Sequence, residues 1–403
     1  MTRGPARAQT RPAPRPRPPD AEPLAVYVHW PYCARICPYC DFNVVRDRGH
    51  ADQQAMLAGA VLADLQGHRA LTGPRRLVSI YLGGGTPSLM PPDWAEAIIG
   101  MARSLWPTEG AVEVTLEANP TDAEAGRFAA FAAAGVNRLS LGLQSLDDQA
   151  LGFLGRNHTA KEGIRAAGIA RAAFPSLSLD LIYARPGQTP WAWAAELETA
   201  TVLGAEHLSP YQLTIEAGTA FGRAVGRGRW TPPDPDTAAA MYEVTQAVLS
   251  ARGYEAYEVS NHARGEAARS RHNLAYWRGS DYVGVGPGAH GRLTLDGLRT
   301  AVRAAAKPAD YIQAVRTSEV GWAEREALSR RQVAEERLLT GLRTDEGVAL
   351  AELLALGLDA SHPTLQGLCD SKLLRLGGGR VFATPAGRLV LDRVTLELIT
   401  IRA

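Results

Sequence analysis

From residue 24 onward, short apolar runs rich in β-branched residues alternate with longer Ala-rich stretches whose apolar positions recur at helical spacing. The runs at 24–30, 76–82, 111–117, 137–143, 177–182 and 207–213 predict strands. The stretches near 51–70, 91–104, 121–134, 159–173 and 189–203 predict helices. Six successive βα units imply an α/β fold with a parallel sheet, either a doubly wound open sheet or a full or partial TIM-like barrel. After 214 the pattern changes. A Gly-rich stretch precedes a helix near 236–252, a strand over 254–260, the segment RHNLAYW at 271–277 and a glycine-rich run, Gly284 to Gly291. From about 323 the spacing predicts helices near 330–342, 347–356 and 362–370, then a hairpin over 373–382 turning at Gly377-Gly378-Gly379. That order is winged-helix-like. The chain thus divides into a tail over 1–22, a βα core over 23–215, an extension over 216–322 and a C-terminal unit over 323–403.

Polar and glycine residues that the periodicity does not call for gather at the strand ends. Cys33, Cys37 and Cys40 follow the first strand, Gly83-Gly84-Gly85-Thr86-Pro87 the second, and Glu117-Ala-Asn119-Pro120 ends the third. Gln144 ends the fourth and Asp180 lies within the fifth. Gly and Pro also simply end strands. Repetition over five consecutive strands argues instead for one assembled site, because strand C-termini line the active-site face of parallel βα folds. The cysteines form a tight C-x3-C-x2-C with no fourth nearby, which points to an iron–sulfur cluster with one iron left open. A zinc site completed by a histidine such as His29, or a disulfide, are the competing readings. Cys369, far along the chain, reads as a buried apolar residue.

Composition alters this picture only at the N-terminus. The 403 residues carry 43 Lys+Arg against 42 Asp+Glu, 46% hydrophobic and 21% charged, the balance of a soluble globular protein. Residues 1–20 hold five Arg, six Pro and one acid, and so carry +4, leaving the rest slightly acidic. The tail reads as disordered, and an acidic body argues against a nucleic-acid partner. No apolar run reaches the ~20 residues of a membrane span and no apolar signal segment is evident, so a cytoplasmic location is expected.

The segment from Tyr27 to Phe42 containing C-x3-C-x2-C, GGGTP at 83–87, DLIY…PGQT at 180–189 and HNLAYW at 272–277 together resemble the radical S-adenosylmethionine (SAM) superfamily, in its oxygen-independent coproporphyrinogen oxidase-like branch. The resemblance implies a partial (β/α)6 TIM-like barrel with a small C-terminal winged-helix-like domain. It further implies a [4Fe-4S] cluster on Cys33, Cys37 and Cys40, with SAM chelating the fourth iron. Tyr27, Gly84, Gly85, Thr86, Glu117, Gln144, Arg156 and Asp180 match SAM-contacting positions. Ala184-Arg185 departs from the Gly-Leu more usual before PGQT and brings an unexpected charge near Asp180.

Within the branch, Phe42 stands where the coproporphyrinogen dehydrogenases carry a fourth cysteine, and HNLAYW matches the HNxxYW motif of the HemW-type haem chaperones. This implies that the chain binds haem and delivers it to haem-requiring clients, in particular membrane respiratory enzymes; a homodimer stays open. His272 is the leading candidate for a haem ligand and His290 a weaker one, with Tyr276 and Trp277 offering flat apolar surface. Taken alone, the segment reads more simply as aromatic packing around a hydrogen-bonded histidine; the family match tips it towards haem. The alternative activity is oxygen-independent coproporphyrinogen III oxidation, which converts propionates to vinyls in porphyrin biosynthesis. A DNA-binding regulator built on the winged unit is a third reading, disfavoured by charge.

Overall fold

The computed structural model describes residues 21–108, 110–122 and 125–400; the expected Arg/Pro tail lies almost wholly outside them. Six parallel strands stand side by side in chain order: β1 (Pro23–Trp30), β2 (Arg76–Gly84), β3 (Glu113–Ala118), β4 (Arg138–Gln144), β5 (Ser176–Tyr183) and β6 (His207–Gln212). Each lies within about two residues of its predicted run. β4 is buried along nearly its whole length, as expected of a parallel strand covered on both faces.

Helices Ala51–Thr72, Pro92–Leu105, Ala125–Ala133, Ala160–Ala173 and Pro190–Thr201 connect successive strands. Their starts are encoded locally. Thr159 and Glu162 form a capping box, and Thr189 caps a helix that begins with Pro190. Fully buried Trp30, Trp106, Phe128, Phe131 and Trp193 belong to one core between sheet and helices. Burial of such a side chain contributes about 2–3 kcal/mol.

The sheet continues past both ends of the six. Two-residue strands β7 (Glu255–Ala256) and β8 (His262–Ala263) extend it beyond β6, while β9 (Asp281–Val285) runs parallel to β1 on the other side. An antiparallel series of β10 (His290–Leu295), β11 (Leu298–Ala304) and β12 (Trp322–Ala327) completes it. The order is β12-β11-β10-β9-β1-β2-β3-β4-β5-β6-β8-β7, an open arrangement rather than a closed barrel. The strand expected over 254–260 is interrupted because Glu258 turns its carboxylate back to accept from Ser260 N (2.9 Å) and from the Asn261 side chain.

The C-terminal unit holds helix Arg330–Gly341, β13 (Val348–Ala349), a 3-10 segment Leu350–Leu356 where an α-helix was expected, and helix Pro363–Asp370. A hairpin of β14 (Leu374–Gly377) and β15 (Arg380–Ala383) follows, at the predicted place. Two helices absent from the sequence reading, Pro385–Leu389 and Leu391–Ile399, come after it. Leu338, Val348, Leu356, Leu365, Val381 and Leu398 form a separate core, against which Cys369 packs. Among the described residues no helix is long and apolar enough to cross a membrane.

Candidate functional site

A cavity of about 910 Å³ opens over the C-terminal ends of the central strands, near the upper end of the usual size for small-molecule sites. It gathers Cys33, Cys37, Cys40, Gly84, Gly85, Thr86, Glu117, Gln144, Arg156 and Asp180. Residues spread over 148 positions of sequence thus share one space. Three further candidates, Tyr27, His272 and His290, do not line it.

The glycine motif seats the cysteine loop. Gly85 N–H donates to Trp30 O (2.8 Å) and Thr86 N–H to Tyr32 O (2.9 Å). A Cβ on Gly85 would stand 2.7 Å from the Tyr32 carbonyl oxygen, and one on Gly84 would stand 2.7 Å from the His29 ring. Gly84 also has φ +111°, a conformation open to glycine. Side chains finish the loop: Thr86 hydrogen-bonds Cys33, and Arg156 Nη1 donates to Cys37 Sγ at 3.4 Å. Burial pushes the Cys33 thiol up to about 11, so it is neutral until a cation holds it as thiolate.

The competing readings of the cysteines fare poorly. All four are free thiols. His29 has both ring nitrogens engaged, accepting from Tyr27 OH at Nδ1 (2.9 Å) and donating from Nε2 to Asn43 O (2.8 Å), and so has no lone pair for zinc. Among the described residues no three His, Cys, Asp or Glu converge as a single-ion site; a cluster is wider than an ion, each thiolate gripping a different iron. Three thiols on one loop at a cavity wall fit that donor set. Phe42, 61% exposed, lines the same wall.

Beside the cysteines the cavity is polar. Tyr81 OH (2.7 Å) and Gly84 N–H (3.0 Å) donate to the two oxygens of Glu117. Burial nonetheless pushes this carboxyl up to about 7. Asp180 accepts from Ser140 Oγ (2.8 Å) and Ser178 Oγ (3.2 Å), and burial raises its pKa too. Gln144 has φ +64° at a break in the register between β4 and β5. A Cβ on Gly142 would stand 2.8 Å from its amide nitrogen, so only glycine leaves room for that pose. Arg156 bonds Cys37, the Asn119 side chain and Gly142 O (3.1 Å), leaving its buried Nε without a partner. Its guanidinium is therefore spent chiefly on fixing the cysteine wall. Carboxylates, an amide and backbone groups around one space suit a ligand carrying an amine and hydroxyls.

Three of the candidates stand apart from the cavity. Tyr27 sits behind the glycine motif, its hydroxyl committed to His29. His272 is buried at 2% exposure in helix Arg271–Trp277, which packs against β1, β2 and β9 below the cavity. Its Nδ1 meets Ser79 Oγ and its Nε2 meets Tyr276 OH, both at 2.9 Å, and its ring stacks on Tyr81. Neither nitrogen is open to an iron. Burial pushes its pKa down to about 3. Glu113 accepts from the backbone N–H of Arg271 and His272 (3.0 Å each), pinning the helix start. In this geometry HNLAYW is a packed plug, the simpler reading of the segment. His290 is exposed at the start of β10, where it pairs with Arg303 of β11, and does not line the cavity. The charge of Arg185 is taken up by a buried pair with Glu196 and a bond to Ser145 Oγ, away from the cavity.

Several cavity residues escaped the sequence reading. Tyr81 was signalled by its place in β2 just before the glycines, pointing to the same face as Gly83. Tyr242, Arg343, Arg388 and Arg393 come from three helices and the turn after helix Arg330–Gly341, and carry no motif.

Comparison with known proteins places this architecture. Residues 27–200 match the Radical SAM superfamily model and residues 328–390 the HemN C-terminal domain. Radical S-adenosyl methionine domain-containing protein 1, mitochondrial, of Bos taurus is 39% identical over 394 residues, 95% of this chain and 88% of its own. Heme chaperone HemW of Mycobacterium tuberculosis is 34% identical over 386 residues, 95% of this chain and 96% of its own. The solved structure of coproporphyrinogen III oxidase (HemN) from Escherichia coli superposes with a TM-score of 0.78 at 22% identity, covering 94% and 91% of the two chains, and so shares the fold. With both domain models matched in order and relatives similar along nearly its whole length, the chain belongs to the radical SAM superfamily, in the HemN-like branch that includes the HemW proteins.

Proposed function

We propose that this chain is a haem chaperone that binds haem and passes it to haem-requiring clients, membrane respiratory enzymes among them. The observation that carries the reading is similarity over 95% of the chain to a protein named heme chaperone HemW. Phe42, in place of a fourth cysteine, supports it against the oxidase alternative. Contact with a membrane would run through the clients. The setting that goes with this reading is the cytoplasm, although animal relatives are named mitochondrial.

In this reading Cys33, Cys37 and Cys40 hold a [4Fe-4S] cluster and the adjacent polar wall holds SAM. When bound, the cluster supplies an open iron for the amino and carboxylate groups of SAM. The chain's own part is positional. Thr86 and Arg156 fix the Cys33 and Cys37 side chains; Glu117, once ionised, is placed for an ammonium or ribose hydroxyls; Gln144 and Asp180 close the side of the site.

The test is haem transfer. Loaded with one equivalent of ferrous haem, the reconstituted protein should pass it to an apo-haem acceptor faster than free haem equilibrates, with the acceptor's absorbance as readout. No transfer, together with anaerobic turnover of coproporphyrinogen III, would establish the oxidase reading instead.

A further inference from the structure

The cavity has a second end that the cluster and SAM leave unexplained. Away from the cysteines it is walled by Tyr242 and Val259 and by the segment Arg388–Arg393, with Arg343 beside them. This wall joins the barrel extension to the two helices that end the C-terminal unit. Leu389 and Val390 are 39% and 43% exposed, apolar side chains facing the opening without a protein partner to cover them.

Three guanidiniums border this apolar surface. Arg343 lies over the Trp277 ring (5.1 Å) and reaches Glu258 only at 4.0 Å, with its buried Nε unpartnered. Arg388 hydrogen-bonds Tyr242, a neutral group. Among the described residues neither Arg388 nor Arg393 has a carboxylate within ion-pair distance. Asp392 is the single acid of this wall, so the end is net positive. SAM is itself a cation at neutral pH, with a sulfonium and an ammonium against one carboxylate, and such an end repels it. A polyphosphate would satisfy the cations and leave the apolar wall unused. The pairing of exposed apolar side chains with two guanidiniums that lack a carboxylate partner, and a third held only loosely by Glu258, instead suits a flat apolar body carrying carboxylates at its edge.

We infer that the end of the cavity formed by Tyr242, Val259, Leu389 and Val390 with Arg343, Arg388 and Arg393 is the seat of the tetrapyrrole, its carboxylates anchored by the arginines. The inference rests on the haem-carrier reading and sharpens it. Haem then lies between the barrel mouth and the C-terminal unit, where movement of that unit would release it, rather than at HNLAYW.

The experiment compares ferric haem with its dimethyl ester, in which both propionates are neutral, by absorbance titration of the full-length reconstituted protein. Wild type should bind haem about tenfold or more tightly than the ester, one charge-assisted contact being enough for that ratio. In R393A, at an exposed position, and in R388Q/R393A the preference should shrink towards unity through weaker haem binding, with the affinity for the ester retained. Equal affinity of wild type for the two ligands overturns the inference while the carrier reading stands. A preference that survives in R388Q/R393A does the same. Saturable binding of neither ligand by wild type overturns both.

Discussion

Glu117 shows how one side chain couples the stability of the fold to its place in the cavity. Its pKa rises from an ordinary carboxylate value to about 7 because burial outweighs the two hydrogen bonds it accepts. An acid whose folded-state value is raised contributes stability that is full below its unfolded value and is lost as pH climbs through 7. In the cofactor-free protein, Glu117→Gln should therefore stabilise at pH 8, by on the order of 3 kcal/mol, and the gain should vanish by pH 4.5 in urea unfolding. A pH-independent difference would contradict the assignment. His272 makes the opposite case. Removing its ring leaves buried Ser79 and half-buried Tyr276 unpartnered, at about 1–3 kcal/mol for the buried hydroxyl and less for the other. His272→Gln should accordingly lower stability yet leave the Soret maximum of the haem complex in place. A Soret shift without loss of stability would return His272 to the iron.

At the scale of elements, the strand ends were legible because buried parallel strands write near-continuous apolar runs, and the residues that follow each run are released from packing. The cysteine, glycine and Glu117 positions could be read in that way, one local signal each. What could not be read depended on distant partners. β7 and β8 are separated by a turn that Glu258 makes with Ser260 and Asn261, and the bridge from Glu258 to Thr344 comes from another domain. The plug formed by HNLAYW is defined by Ser79, Tyr81 and Glu113, none of which is near it in sequence. The turn after β5 was noticed as an unusual Ala184-Arg185. Arg185 proves to be neutralised by Glu196, whereas Ala184 holds φ +59°, where glycine rests without strain. Ala184→Gly should raise stability by about 0.5–1 kcal/mol, the relief of left-handed strain less the added entropy of the unfolded chain. A lower Tm would show that the buried methyl outweighs the strain.

For the molecule as a whole, buried neutral histidines set the response to acid. Burial holds His158 and His262 down at about 4, His272 at about 3 and His207 well below its usual value. Their contribution is present above pH 6.5 and is lost as pH falls towards 4, because the unfolded chain takes up protons that the native state refuses. The carboxyls of Glu117, Asp180 and Glu258, which burial raises, oppose this but are outnumbered by the histidines that burial lowers, so the urea midpoint of the cofactor-free protein should fall between pH 7 and 4.5; a rise would contradict the histidine environments. The whole-molecule arrangement also explains why the cavity's far end was invisible in the sequence: Tyr242, Arg343 and Arg388 meet only when the C-terminal unit docks over the barrel mouth. If this docked architecture carries haem, hemin titrated into the anaerobically reconstituted full-length protein and followed by absorbance will saturate at one haem per chain; a titration with no saturable binding would show that it does not.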